Sequence, residues 1–177
     1  MMKGLSKTFI FFFVLTIFGF SQSLTTYKND AANFSVSLPG KPVLSTNDIP
    51  TEAGTVKLIN FTVEASDGIY YIGVSEYPKE FNLTGREKTV LDESLTGAMA
   101  DFESSNLLSR KDITLGAFKG IEFQISSKLN GGSVMVSGRF FLVGSKIYQL
   151  LATFTEGNYN SNKDNINSFL SSFKLLK

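Results

Sequence analysis

Apolar and polar residues alternate along most of this chain, which is the pattern of strands that bury one face of a sheet. The first clear run, residues 34–38, alternates large apolar side chains with serine and ends at a Pro-Gly pair. Residues 55–65 and 70–74 each place three apolar side chains on one face, with a Ser-Asp-Gly turn sequence between them. Residues 41–51 contain two prolines and are predicted to form an extended loop. The first part of the chain therefore predicts one strand, a loop and an antiparallel hairpin.

A helix is predicted over residues 86–105, with a stop at Asn106, because one apolar stripe recurs there at helical spacing. The stripe consists of Leu91, Leu95, Ala98, Met99 and Phe102. Thr84 followed by Glu87 matches the spacing of a capping box at the start of this helix. The same stripe could line a cofactor, but its spacing is what burial alone requires, so core packing is the favoured interpretation.

Strand patterns return after the helix and become apolar on both faces. Residues 107–115 and 118–126 predict two strands, and an Asn-Gly-Gly turn leads into the run 134–143. After Gly-Ser-Lys, the run 147–154 is again apolar on both faces, as expected for a strand that is covered on both faces. Gly-Ser-Lys divides the apolar stretch 134–154 into two halves, each about as long as a strand. The stretch is therefore not predicted to be a transmembrane helix. It predicts the central hairpin of an antiparallel sheet that is sandwiched between layers.

The C-terminal segment begins with polar residues and then becomes amphipathic. Apolar residues follow at helical spacing, namely Ile166, Phe169, Leu170 and Phe173. A second helix is therefore predicted up to Ser172, followed by a short extended tail over residues 173–176. No internal repeat or linker divides the chain, so we expect a single domain.

The N-terminus has the features of a signal peptide. Lys3 and Lys7 precede an apolar run over residues 8–20, which is shorter than the roughly twenty residues that a helix needs to cross a bilayer. Small residues follow, so residues 1–23 are predicted to be a cleaved signal peptide and residues 24–177 the exported domain. An uncleaved signal anchor or a buried N-terminal helix is the alternative. No cysteine follows the run, which excludes a lipid anchor on a thiol.

Composition excludes several classes of function. The chain has 177 residues, 42% of them hydrophobic and 19% charged, as in a globular domain. Loss of the two leader lysines would leave 15 basic against 16 acidic residues. Proteins that bind nucleic acid usually carry an excess of positive charge, so nucleic acid is not an expected partner. Cysteine and histidine are both absent, which removes disulfides, thiol or Ser-His-Asp catalysis, a histidine pH switch and the usual zinc ligands. We predict no enzyme activity, no cofactor and no metal site.

Arg139 is the candidate ligand-binding residue, because it is a cation among apolar neighbours in a predicted strand. It could bind an anionic ligand at the end of the sheet, although such an arginine more often pairs with a carboxylate from a covering helix. Residues 156–164 offer oxygen ligands at alternate positions but lack the glycine and final glutamate of an EF-hand, so a helix lead-in is favoured over calcium binding. Paired acids on the predicted helix are interpreted as its solvated face, and they are Asp92, Glu93, Asp101 and Glu103.

The order of these segments resembles the PsbP-like family. The matching features are Tyr27, the strand 34–39, paired strands, the long helix, residues 120–123, residues 139–150 and a final helix that runs into residues 172–175. The resemblance implies an α+β fold, a single-domain α/β/α sandwich with a twisted, mostly antiparallel sheet covered by helices. Members of the family include a lumenal photosystem II subunit, a nuclear-import factor and exported bacterial proteins, so the fold alone does not specify a function.

We therefore expect an exported, non-enzymatic accessory or binding protein of the cell envelope, in the periplasm or outside the cell. Its expected partner is an envelope protein, with no nucleic acid and no stable membrane insertion after signal cleavage. The alternative is a small-molecule or ion-binding protein with a pocket near Arg139 and the 41–51 loop. The leader is of bacterial type, so three glycosylation sequons are interpreted as incidental, and they lie at Asn33, Asn60 and Asn82.

Overall fold

A computed structural model describes residues 23–51, 54–78 and 83–176. The predicted signal peptide, apart from its last residue, lies outside the described residues, as does the sequon at Asn82. None of the described helices is both long enough and apolar enough to cross a bilayer.

The described chain forms ten strands and three helices. The strands are β1 (Thr25–Asn29), β2 (Phe34–Leu38), β3 (Val43–Thr51), β4 (Gly54–Glu64), β5 (Gly68–Glu76), β6 (Glu103–Leu115), β7 (Phe118–Leu129), β8 (Gly132–Val143), β9 (Lys146–Thr155) and β10 (Lys174–Leu175). The helices are α1 (Glu87–Ala100), α2 (Glu156–Tyr159) and α3 (Lys163–Ser172), with one 3-10 turn (Asn160–Asn162) between the last two. This is an α+β fold in which strand dominates.

The strands form two antiparallel sheets. The larger sheet has seven strands in the order β3-β4-β5-β9-β8-β7-β6, and the smaller has three in the order β1-β2-β10. The two predicted hairpins are confirmed, since β4 pairs with β5 and β8 pairs with β9. The smaller sheet was not predicted, because sequence pattern identified β2 and the extended tail but neither β1 nor the pairing of these three strands.

Strands β8 and β9 are buried on both faces, as the sequence predicts. Phe141 and Tyr148 lie in one core cluster with residues of β2 and α3, whereas Phe140 and Ile147 lie in a second cluster with residues of α1. Successive side chains of a strand point to opposite faces, so the two clusters occupy opposite sides of these strands. α1 contacts β6, β7 and β8, and α3 contacts β2, β8 and β9.

The prediction of a loop over residues 41–51 is wrong, because β3 occupies most of that segment. Its register with β4 is unbroken, from Val43 opposite Thr62 to Thr51 opposite Gly54. β3 is the outermost strand of the sheet and has a ladder on one side only. An edge strand of this kind tolerates proline, so Pro50 does not end the pairing.

The predicted helix is correct at its start and too long at its end. α1 ends at Ala100 and β6 begins at Glu103, although Phe102 still packs against the same cluster as the helix. The apolar spacing therefore continued past the end of the helix. The predicted capping box is also wrong, because the N-cap is Arg86 and the Glu87 carboxylate instead accepts the N–H of Gly85 at 3.1 Å.

The predicted C-terminal helix and tail are confirmed. α3 ends at Ser172, and Phe173 is extended with φ −62° and ψ 130°. Residues 156–162 form α2 and the 3-10 turn, so the polar segment is a helical lead-in, as favoured from the sequence.

Candidate functional site

A cleft of about 510 Å³ opens between α1 and the part of the large sheet that α1 does not cover. We call this the α1 cleft. Its walls come from β3, β4, β5 and β9, from the end of β7, from α1 and from the residues that follow β5 and α1. The lining residues are Ile49, Leu58, Ile69, Tyr71, Ser75, Tyr77, Ser94, Gly97, Ala98, Asp101, Phe102, Leu129, Gln149, Leu151 and Thr153. Asp101 is the one charged side chain among these lining residues.

Two tyrosines of the α1 cleft are held in their protonated state. The hydroxyl of Tyr71 donates to Asn60 Oδ1 at 2.6 Å, and the Asn60 amide donates to Ser45 Oγ at 3.3 Å. Burial raises the pKa of Tyr71 to about 12, and the charge of Asp101 adds to that effect. Burial also raises the pKa of Tyr77. Both phenols are therefore neutral hydrogen-bonding groups at physiological pH.

Arg139 is half-buried on β8 and forms an ion pair with the neighbouring strand. Its Nε donates to Glu122 Oε2 at 2.6 Å, and its Nη1 donates to the Leu170 carbonyl at 3.1 Å and to Ser171 Oγ at 3.4 Å. The carboxylate partner thus comes from β7, while the covering helix α3 supplies a backbone carbonyl. Lys111 Nζ lies 2.6 Å from Glu122 Oε1 and completes the ion-pair network.

The structure does not bring Arg139 and residues 41–51 into one pocket. β3 and β8 are separated by β4, β5 and β9 in the sheet order. Ile49 of the 41–51 segment lines the α1 cleft, but Arg139 does not. A ligand-binding role for Arg139 stays a prediction. An anionic ligand would have to bind beside the Arg139–Glu122 ion pair or replace Glu122 as the partner of the guanidinium group.

Replacing Glu122 by glutamine is expected to weaken the fold at neutral pH and to flatten its response to acid. Burial alone would raise the pKa of Glu122, but hydrogen bonds from Lys111 and Arg139 outweigh it and lower the pKa below the ordinary 4.5. A carboxyl group whose pKa is lowered by folding stabilises the folded state above pH 4.5. This stabilisation is lost as the pH falls through the pKa that the group has in the folded protein. We expect E122Q to lose about 1–2 kcal/mol at pH 7, as is typical when a charged hydrogen bond is removed.

Urea unfolding between pH 3 and pH 7 checks this expectation. The difference in unfolding free energy between wild type and E122Q should shrink as the pH falls below 4.5. Glu64→Gln, at an exposed position on β4, is the matched control. A difference that stays constant with pH would contradict the assigned role of the ion pairs.

The other candidate acids do not form a pair on one helix face. Asp92 accepts from Arg110 Nε at 3.0 Å and Nη2 at 2.7 Å, and Glu103 belongs to β6 rather than to α1. Asp101 lies in the α1 cleft, which sequence pattern did not indicate. Within the described ranges, no group of three or more acidic, histidine or cysteine residues is placed to hold a metal ion.

Exposed large apolar side chains concentrate on the two outer strands of the large sheet. On β3 the exposed fractions are 75% for Val43, 50% for Leu44 and 42% for Ile49. On β6, Leu107 and Leu108 are exposed by 39% and 48%. Large apolar residues at a sheet edge favour pairing with another chain.

The chain has a PsbP-like fold. It is similar to the solution structure of cyanobacterial PsbP from Synechocystis sp. PCC 6803, with 14% identity, a TM-score of 0.57 and coverage of 87% of this chain and 93% of that one. It is also similar to LpqN, a protein involved in cell envelope biogenesis of Mycobacterium tuberculosis, with 15% identity, a TM-score of 0.52 and coverage of 79% and 87%. No family model matches the sequence, and no curated protein matches it significantly. The resemblance inferred from the sequence is thus confirmed at the level of fold.

Proposed function

We propose that this chain is an exported, non-enzymatic accessory protein of the cell envelope that binds a protein partner through the edge strand β3. Its architecture is an α/β/α sandwich, with α1 on one face of the large sheet and α3 on the other. The signal-peptide pattern supports export. A fold shared with an envelope-biogenesis protein of Mycobacterium tuberculosis is consistent with an envelope role.

The exposure of β3 is the observation that carries this proposal. Val43 and Leu44 project from opposite faces of the strand, because neighbouring residues alternate, and both are at least half exposed. A strand added alongside β3 would bury both side chains and would satisfy the outward backbone groups of the edge. The partner segment is therefore expected to be extended and to carry apolar residues at alternate positions.

β3 is a better docking edge than β6 because β6 carries features that oppose strand addition. Its pairing with β7 has two register shifts, and an edge that is kinked by bulges is a poor template. Three consecutive charged residues, Arg110 to Asp112, also lie on β6. β3 keeps a continuous register and has no charged residue before Asp48.

Site-specific photo-crosslinking in the native organism tests this docking edge. A benzophenone amino acid at Val43 or Leu44 is expected to give a covalent adduct with one envelope protein, identified by mass spectrometry. Phe118 is the matched control, since it is also a large apolar residue and is 37% exposed but lies on β7. Equal adducts at Phe118 and at the β3 positions, or none at β3, would contradict docking at this edge.

The absence of an enzyme activity is a separate part of the proposal and needs its own measurement. Purified protein is expected to show no turnover in a broad screen of hydrolase and transferase substrates. Turnover that disappears on substitution of a single Asp, Ser or Arg would overturn the non-enzymatic assignment while leaving docking at β3 unaffected.

A further inference from the structure

The α1 cleft exists because one helix is too narrow to cover a seven-stranded sheet. Six spacings of about 4.8 Å make such a sheet about 29 Å wide, whereas a helix with its side chains is about 10 Å across. α1 contacts β6, β7 and β8, so the same face of β4, β5 and β9 is left beside it. Residues there are only partly buried, including Leu58, Ile69 and Leu151. An apolar floor of this kind gains free energy when a ligand removes it from water.

The cleft is elongated along β5. Ile69 and Ser75 both line it, and six residues of strand span about 20 Å. α1 runs beside this path, with Ser94 and Asp101 both on the lining. A long, narrow ligand such as an alkyl chain fits this shape better than a compact one.

The polar groups of the cleft restrict the charge of the ligand. Among the described residues of its lining there are hydroxyl and amide groups and one carboxylate, but no lysine or arginine. Asp101 and Tyr71 both line the cleft, and they lie at its same end, where β5 begins and the chain passes from α1 into β6. A carboxylate beside an aromatic ring attracts an ammonium group, because both the negative charge and the ring face favour a cation.

We propose that the α1 cleft binds an elongated apolar molecule that carries a cationic group at its Asp101 end, in other words a cationic amphiphile. The ammonium group lies next to Asp101 and Tyr71, and the alkyl portion extends from there over Leu151 and Leu58 towards Ser75. This site is on the α1 face of the sheet and is independent of docking at the β3 edge, so either proposal can fail without the other.

Three probes of equal chain length and different charge test the ligand class. Calorimetric titration of the purified protein would compare dodecyltrimethylammonium, dodecyl maltoside and dodecyl sulfate, each below its critical micelle concentration. The expected order of affinity is cation, then neutral, then anion. Asp101→Asn is expected to weaken binding of the cation by roughly threefold, the size of one exposed charge interaction, and to leave the maltoside unchanged.

Two filling variants test the location. A Cβ atom at Gly97 would meet no heavy atom within 4 Å, so the backbone there accepts a side chain, and Gly97→Phe is expected to fold normally and to reduce cation binding at least tenfold. Ser75→Phe fills the floor from β5 and is expected to have the same effect. Gly157→Phe is the matched control, because Gly157 is equally uncrowded but lies on α2, outside the cleft.

The possible results separate the two parts of the proposal. Loss of binding in both filling variants but not in Gly157→Phe supports the location, and a preference for the cation that Asp101→Asn removes supports the charge. Equal or tighter binding of dodecyl sulfate would overturn the cationic assignment. Binding that survives both filling variants, or no binding of any probe, would overturn the site itself.

Discussion

Replacing Phe173 by alanine is expected to lower the free energy of unfolding by about 3–5 kcal/mol, the range for removing a buried phenylalanine. Phe173 is 3% exposed and follows the last helix. Its ring stacks on Phe34 and on Phe141, each with centroids 5.8 Å apart, and meets Tyr148 at 5.4 Å. The substitution would open a cavity between the two sheets, because these partners belong to β2, β8 and β9.

Urea denaturation at neutral pH measures the effect. Phe118→Ala is the matched control, since Phe118 is 37% exposed and a surface substitution of this type costs less than about 1 kcal/mol. If Phe173→Ala cost no more than the control, Phe173 would not join the two sheets as described.

The second large effect is expected from Gly120→Ala on β7. A Cβ atom at Gly120 would lie 2.5 Å from the carbonyl oxygen of Phe140 and 2.5 Å from Cδ1 of Phe141. The carbonyl belongs to the backbone of the adjacent strand, so the clash is relieved only if β7 and β8 move apart. Overpacking of this kind typically costs about 1–3 kcal/mol, and the backbone contact places this case at the upper end.

Gly132→Ala provides the comparison for this second substitution. Gly132 is also a strand residue, but its Cβ would lie 3.5 Å from the nearest atom, the Leu129 carbonyl oxygen, which is an ordinary contact. Thermal unfolding should therefore show a clear decrease in Tm for Gly120→Ala and little change for Gly132→Ala. Similar shifts in both variants would show that the β7–β8 spacing is more adaptable than the structure indicates.

Most of the strands were predictable because each one alternates or is apolar throughout within its own sequence. β3 was missed because the two prolines of residues 41–51 favour a loop over a strand. Proline is tolerated in an edge strand, but the sequence does not show which strand lies at an edge. The end of α1 was misplaced for a related reason. Phe102 packs against the same cluster from the bend after the helix, where it is partly buried, so the apolar spacing carried no information about where the helical backbone stops.

The candidate site depended on information that no short window of sequence contains. Glu122 and Arg139 face each other because of the β7–β8 register, and a register is set by the whole hairpin rather than by either residue. The α1 cleft depends on which strands α1 covers, namely β6, β7 and β8, and no short stretch of sequence specifies that packing. Asp101 was therefore interpreted as part of a solvated helix face, although it lies at the edge of a cavity.

The small sheet joins the two ends of the described chain, since β2 pairs with β1 on one side and with β10 on the other. Phe34 and Phe173 pack together in the same cluster, so this half of the core cannot close before residue 175 is available. A polypeptide that is threaded through a translocation channel from its N-terminus would therefore remain incompletely folded until its final residues emerge. Under the export proposed above, such a delay would keep the chain competent for transport and would make folding of α3 and β10 the step that commits it to the native state.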